Sequence, residues 1–99
     1  MLIHSVFFWL KPELTEARRA EFRRGLESLA GVPSLQSLHI GTPAPLPPRP
    51  VLDATYTFAL TGVFQDVAGQ NVYQTHPLHL AFLERFRGDW IKVQIYDAA

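Results

Sequence analysis

The first strand predicted in this chain is apolar on both of its faces. Residues 2–11 are rich in β-branched and aromatic types, which favours a strand that ends at Pro12. Alternate residues of a strand point to opposite sides of a sheet. One side carries a histidine among apolar residues, namely His4, Val6, Phe8 and Leu10. The other side is almost as apolar and carries Ile3, Ser5, Phe7 and Trp9.

Each of these two apolar faces must be buried against another part of the structure. Helices on one side of an antiparallel sheet cover one face, and the second face then normally turns polar toward water. Phe7 and Trp9 on that second face would form an exposed apolar patch. The same sheet of a second copy is the simplest cover, so we expect a homodimer with sheet packed on sheet.

A helix, a strand and a stiff connection follow the first strand. Thr15 is expected to cap the helix, whose inward residues are Phe22, Leu26 and Leu29. A second strand is predicted at about residues 35–41. Residues 42–50 hold five of the eight prolines of the chain, so we expect a stiff, exposed loop there. A proline-rich ligand for another protein is the alternative for this loop.

Four further segments complete the chain. Residues 53–63 predict a third strand with Tyr56, Phe58 and Leu60 on one face. A short helical segment at about 65–73 leads into a helix that starts near His76 and ends at Gly88, and residues 90–96 form a last strand. The order β-α-β-β-α-β predicts the α+β class, as a ferredoxin-like fold with an antiparallel sheet in a single domain of residues 1–99.

Two histidines and a tyrosine lie close together at the start of the last predicted helix. Thr75 is expected to cap this helix, and Pro77 is tolerated in its first turn. The spacing i, i+3, i+4, i+7 puts four residues on one helix face, namely His79, Phe82, Leu83 and Phe86. His79 therefore faces the core, where it is either a hydrogen-bonded structural residue or part of a site.

Charge and composition exclude several classes of function. Lys and Arg together number nine, as do Asp and Glu, so no net field attracts nucleic acid or an anionic membrane. The absence of cysteine excludes disulfides and thiolate chemistry. The sequence shows neither a signal peptide nor a long apolar span, so we expect a cytoplasmic protein.

A metal site is a weak alternative. His76 and His79 are three residues apart, whereas helical zinc motifs use a spacing of four, and Pro77 stands where those motifs carry glutamate. A third ligand would have to be His4, His39 or a carboxylate. We therefore expect no metal and no organic cofactor.

Three groups of residues resemble the stress-responsive A/B barrel family of dimeric α+β barrels. They are Ile3-His4 with Lys11-Pro12, the pattern Tyr-x-x-His-Pro-x-His-x-x-Phe over Tyr73–Phe82, and Ile95-Tyr96-Asp97. The likeness runs over nearly the whole chain. It implies a homodimer in which two four-stranded sheets close into a barrel with the helices outside.

The resemblance also implies a site. A polyketide cyclase of this family has a pocket between sheet and helices, and its two histidines, its tyrosine and two of its aromatic residues match His4, His79, Tyr73, Phe22 and Trp90. Arg23 and Leu26 stand where that cyclase has an aromatic residue and a tyrosine.

From the residues and the resemblance together, we expect an apolar pocket for a small carbonyl or polyketide-like compound. His79 is the expected proton acceptor, Tyr73 orients the substrate oxygen and His4 assists, in cofactor-free lyase or cyclase chemistry. The expected substrate-binding residues are Phe22, Leu26, Leu60, His76, Phe82 and Trp90. The alternative is a homodimer without chemistry, which binds a small ligand or serves a structural role.

Overall fold

One four-stranded sheet and three helices form two layers. The computed structural model describes all residues from 1 to 99. The elements are β1 (Leu2–Leu10), α1 (Glu16–Ser28), β2 (Leu35–Gly41), β3 (Phe58–Phe64), α2 (Val67–Thr75), α3 (Pro77–Phe86) and β4 (Trp90–Ala98). The strand order is β2-β3-β1-β4 and every neighbouring pair is antiparallel, so the predicted ferredoxin-like α+β fold is confirmed.

The core lies between the helices and the inner face of the sheet. Along β1 and β3, buried residues alternate with partly exposed ones, as a half-covered sheet requires. Phe22 of α1 is fully buried at the centre of this core. The centroid of its ring lies between 5.3 and 5.8 Å from those of Phe8, Phe58, Phe82 and Phe86. Each such aromatic pair adds about 0.5–1.5 kcal/mol beyond its area burial.

A buried ion pair ties α1 to the turn between α3 and β4. Asp89 is only 8% exposed, and a carboxylate so buried is costly without a partner. The Nε of Arg18 donates to Asp89 Oδ2 at 2.7 Å, and its Nη2 donates to the carbonyl of Arg85 at 3.0 Å. The same guanidinium lies 4.7 Å from the ring centroid of Phe86. These contacts fix the angle at which α1 crosses α3.

The third strand is shorter than predicted. It begins at Phe58 rather than at residue 53, and Tyr56 does not share a face with Phe58. The Tyr56 ring lies 5.1 Å from that of Phe7 and 6.4 Å from that of Trp9, on the opposite side of the sheet. The prediction for Tyr56 was wrong because residues 53–57 run as a loop, in which the alternation of strand residues does not apply.

The outer face of the sheet is only partly covered in the single chain, by the loop of residues 53–57. Phe7 and Trp9 are partly exposed, Ile3 is 38% exposed and Tyr96 is 63% exposed. Lys92 Nζ lies 4.5 Å from the centroid of the Trp9 ring. One of the two apolar faces of β1 is therefore partly exposed at the surface. None of the helices combines the length and the hydrophobicity that a membrane-spanning segment requires.

We expect Gly25→Ala to destabilise the fold. A Cβ at Gly25 would lie 2.4 Å from Cε2 of Phe86, whose ring is held by Phe22 and by the guanidinium of Arg18. The clash should cost roughly 1–3 kcal/mol, more than the roughly 0.5–1 kcal/mol that alanine gains over glycine in a helix. Thermal unfolding followed by circular dichroism would show a lower Tm.

Gly88→Ala is the matched control. A Cβ at Gly88 meets nothing within 4 Å, and no glycine of the chain has a positive φ. The Tm of this variant should equal or slightly exceed that of the wild type. Equal Tm values for Gly25→Ala and Gly88→Ala would contradict the close approach of α1 and α3.

Candidate functional site

A cavity of about 270 Å³ lies between the inner face of the sheet and helices α2 and α3. Its walls are mostly apolar and include Val6, Phe8, Leu60, Phe82, Trp90 and Val93. Four residues bring polar groups to it, namely His4, Tyr73, Gln74 and His79. The fold thus brings His4 of the first strand to Tyr73 and His79, about 70 residues further along the chain, as expected from the sequence.

A larger and more open groove of about 470 Å³ runs between α1 and α3 on the outer surface. Its polar lining comes from Glu21, Arg24, Ser28 and Arg85, and it contains neither histidine nor tyrosine. Glu21 and Arg85 form an ion pair at 2.9 Å across it. Of these two cavities, only the smaller one is lined by histidine and tyrosine, and it is the candidate site.

His79 is held as a neutral base. It sits in the first turn of α3, where its Nδ1 lies 3.0 Å from the backbone carbonyl of Gln74. A carbonyl only accepts hydrogen bonds, so Nδ1 carries the proton and Nε2 keeps its lone pair. Burial of the ring holds the pKa of His79 below its ordinary value of 6.5. The electrostatic effect of His4 lowers this pKa further, whereas the hydrogen bond to Gln74 opposes the shift. The ring is therefore a proton acceptor at neutral pH.

Tyr73 is held as a neutral donor. It lies on α2, is 2% exposed, and its ring is 4.6 Å from that of His79 and 5.9 Å from that of His4. Burial raises the pKa of the Tyr73 phenol to about 12, and no hydrogen bond contributes to this shift. The hydroxyl group therefore keeps its proton and is free to donate it to a ligand oxygen.

His4 is tied to a carboxylate across the sheet. Its side chain is buried in β1, and its Nδ1 lies 2.5 Å from Oδ1 of Asp97 in β4. His4 and Asp97 are directly opposite in the antiparallel register, which puts both side chains on the inner face. With Nδ1 engaged by the carboxylate, Nε2 is the nitrogen that His4 has left for a ligand.

Sequence reasoning missed Asp97 as a partner in the site. The last strand was predicted to end at residue 96, whereas β4 continues to Ala98. Asp97 was therefore placed outside the sheet. The alternation from Val93 through Ile95 to Asp97 was the available signal, because it puts Asp97 on the inner face if the strand continues.

Phe22 and Leu26 were expected to line the pocket, and they do not. Both are fully buried, and neither contributes to the cavity surface. The Phe22 ring packs directly against Phe8 and Phe82, which are themselves walls of the cavity. Phe22 therefore lies behind the wall of the cavity, and Leu26 is buried in the core without reaching the cavity.

His76 is also absent from the cavity. It is the N-cap of α3, where its Nδ1 accepts a hydrogen bond from the backbone N–H of Leu78 at 3.1 Å. The predicted cap, Thr75, is instead the last residue of α2. The expectations that Thr75 caps α3 and that His76 lines the pocket were both wrong, because α2 and α3 are separated by His76 alone. The backbone there has a ψ of 140°, so the imidazole takes the capping position.

Leu60, Phe82 and Trp90 line the cavity as expected, and Gln74 is an addition. No group of three or more His, Cys, Asp or Glu side chains is arranged to hold a metal ion.

Comparison with known proteins agrees with the family that the sequence resembles, and the match covers nearly the whole chain. The family model described as Stress responsive A/B Barrel Domain matches residues 2–99. Olivetolic acid cyclase from Cannabis sativa is 26% identical over 95 residues, which cover 95% of this chain and 91% of that protein.

Two solved structures show the same fold. A dimeric ferredoxin-like protein of unknown function from Thermobifida fusca has a TM-score of 0.80 at 21% identity, with 99% of this chain and 89% of that chain covered. A hydroxynitrile lyase from Passiflora edulis has a TM-score of 0.80 at 21% identity, with 98% of this chain and 90% of that chain covered.

Acidification should destabilise the wild-type protein more than a His79→Asn variant. The unfolded chain takes up a proton at His79 as the pH falls through 6.5, whereas the folded protein resists it because its pKa is lower. The wild type therefore loses stability below about pH 6.5, whereas the variant, which has no titrating group at this position, does not lose stability in this way. The Tm difference between the two proteins should narrow between about pH 8 and about pH 5.

The asparagine keeps a side-chain N–H that can donate to the carbonyl of Gln74. His39→Asn is the control, because His39 is exposed on β2 and makes no contact with the cavity. Its Tm should follow that of the wild type across the pH range. A constant Tm difference between the wild type and His79→Asn would contradict a neutral His79.

Proposed function

The chain belongs to the stress responsive A/B barrel domain family, and from that premise we propose that its cavity performs acid–base chemistry on a small, mostly apolar carbonyl compound. The observation that carries this proposal is the pair formed by His79 and Tyr73. A neutral imidazole and a protonated phenol, with ring centroids 4.6 Å apart, share one apolar cavity. Such a pair can accept a proton and stabilise the resulting oxyanion at neutral pH.

The proposed step begins with a carbonyl oxygen of the substrate at the Tyr73 hydroxyl. Nε2 of His79 takes a proton from the carbon next to that carbonyl, and the C–H electron pair moves to form an enolate. The enolate oxygen accepts a hydrogen bond from Tyr73, which stays protonated because burial raises the pKa of its phenol to about 12. The enolate carbon then attacks a second carbonyl in the same molecule, and the resulting alkoxide takes the proton back from His79.

His4 is assigned the assisting role. Its Nε2 is free, while Asp97 holds Nδ1 and so fixes the orientation of the ring. A ring held in this way can accept a hydrogen bond from a substrate hydroxyl or, through a bridging water, from the phenol of Tyr73. His4 thus orients the reacting groups, and His79 remains the proton acceptor.

The size and lining of the cavity support a small substrate. A volume of about 270 Å³ lies just below the range of roughly 300–1,000 Å³ that is typical of ligand pockets. Most of the lining is apolar, which favours a compound with few polar groups besides its carbonyls. The named relatives, a cyclase and a hydroxynitrile lyase, support the assignment to lyase or cyclase chemistry.

Turnover should depend on both His79 and Tyr73. We expect His79→Ala to lower kcat by about a hundredfold or more, because it removes the base. Tyr73→Phe keeps the ring but loses the hydroxyl, which should also lower kcat, by about a hundredfold. The measurement is a screen of small carbonyl and polyketide-like compounds with each variant beside the wild type.

His76→Ala is the control for this screen, because His76 belongs to the same segment but lies outside the cavity. Its kcat should stay close to that of the wild type once folding is verified. Binding without turnover in all the proteins would identify a carrier. No binding at all, with only a lower Tm for His79→Ala, would identify His79 as a structural residue.

We propose further that the protein is a homodimer closed by the outer faces of two sheets. Phe7, Trp9, Tyr56 and Tyr96 contribute aromatic surface to this side, and Tyr96 is 63% exposed in the single chain. Burial of this surface against a second copy would remove a large apolar patch from water. The dimeric neighbour from Thermobifida fusca supports this assembly.

Tyr96→Glu should convert the dimer to a monomer. The substitution places a charge on the proposed interface, where it would be desolvated without a partner. Tyr96 is largely exposed in the single chain, so the monomer should still fold. Light scattering coupled to gel filtration at micromolar concentration measures the change. Leu80→Glu is the control, since Leu80 is 51% exposed on the outer side of α3, and it should remain dimeric.

A further inference from the structure

Gln70 lies next to the pair of His4 and Asp97. It stands on α2, one helical turn before Tyr73, and its side chain is partly buried. Its Nε2 is 3.4 Å from Oδ2 of Asp97 and 3.2 Å from Nδ1 of His4. Helix α2 thus supplies both the phenol of Tyr73, which lines the cavity, and the amide of Gln70, which lies beside His4 and Asp97.

The proton positions follow from the donors and acceptors present. A separation of 2.5 Å between Nδ1 of His4 and Oδ1 of Asp97 requires a proton between them. The proton belongs to Nδ1, so this nitrogen cannot also accept one from Gln70. The amide of Gln70 must therefore donate to Oδ2, the second oxygen of Asp97. Each oxygen of the carboxylate then receives one N–H donor.

This second donor matters because Asp97 is not enclosed. Its side chain is 41% exposed, whereas that of His4 is only 4% exposed. A carboxylate with one buried partner and an open side can rotate and exchange its partner for water. A donor fixed on α2 opposes that rotation, because turning the carboxylate would break both hydrogen bonds together.

We propose that Gln70 is a positioning residue that holds the carboxylate of Asp97 and thereby keeps His4 in the tautomer with Nδ1 protonated and Nε2 free. This inference rests on the proposed function in one respect: the free Nε2 of His4 matters only if the cavity binds a ligand. Gln70 does not line the cavity and acts only through Asp97.

Nuclear magnetic resonance of the full chain labelled with ¹⁵N on histidine tests the proposal without a substrate. In the wild type, the proton shared by His4 and Asp97 should give a far-downfield resonance with slow exchange, and His4 should show a single tautomer. In Gln70→Leu, we expect this resonance to broaden or disappear and the two tautomers of His4 to mix. Circular dichroism verifies that the variant is folded.

Asn71→Leu is the matched control, because it adds the same side chain at the next, exposed position of α2. It should leave the resonance and the tautomer unchanged. If Gln70→Leu is poorly folded, Gln70→Met keeps the length of the side chain and has no N–H donor, and the same loss is expected.

A Gln70 variant that is folded and retains the wild-type resonance and tautomer would overturn the proposal. Loss of the resonance in the variant, in a protein that turns over no carbonyl compound, would support the role of Gln70 and count against the proposed function alone. The two ideas therefore fail separately.

Discussion

The burial of His4 in a central strand is the constraint on which the site depends. An imidazole that is 3% exposed must find hydrogen-bond partners inside the protein. Asp97 provides one, but only if β4 runs antiparallel to β1 in the register that sets the two residues opposite each other. A shift of one residue would turn Asp97 to the outer face and remove the carboxylate partner of His4. The polar pair thus specifies the sheet as well as the cavity.

The state of His79 in the cavity depends on an interruption between two helices. α2 ends at Thr75 and α3 begins at Pro77, with His76 capping the second helix. Because of this break, the carbonyl of Gln74 lacks the backbone N–H donor that a continuous helix would supply. Nδ1 of His79 donates a hydrogen bond to it instead. The hydrogen bond sets which nitrogen of His79 is basic. Secondary structure and acid–base state are therefore fixed by the same contact.

Periodicity predicted the elements well and the site only in part. The apolar alternation of β1 and the helical spacing from His79 to Phe86 gave the correct layers, because burial of one face produces both patterns. The same patterns could not separate Phe22, which lies behind the cavity wall, from Phe82, which forms it. Depth within a core depends on the packing of all the elements. The partners of His4 were missed because strand register and helix placement are needed to find Asp97 and Gln70.

The two tryptophans of the chain lie on opposite sides of the sheet. Trp90 is part of the cavity wall, and Trp9 belongs to the outer face, where its Nε1 donates to Oγ1 of Thr55 at 2.9 Å. The molecule therefore contains two separate fluorophores. With one replaced by phenylalanine, emission from the other reports on a single event: ligand entry for Trp90, or a change at the outer surface for Trp9. The proposed ligand binding and the proposed subunit association can then be tested independently, without an attached dye.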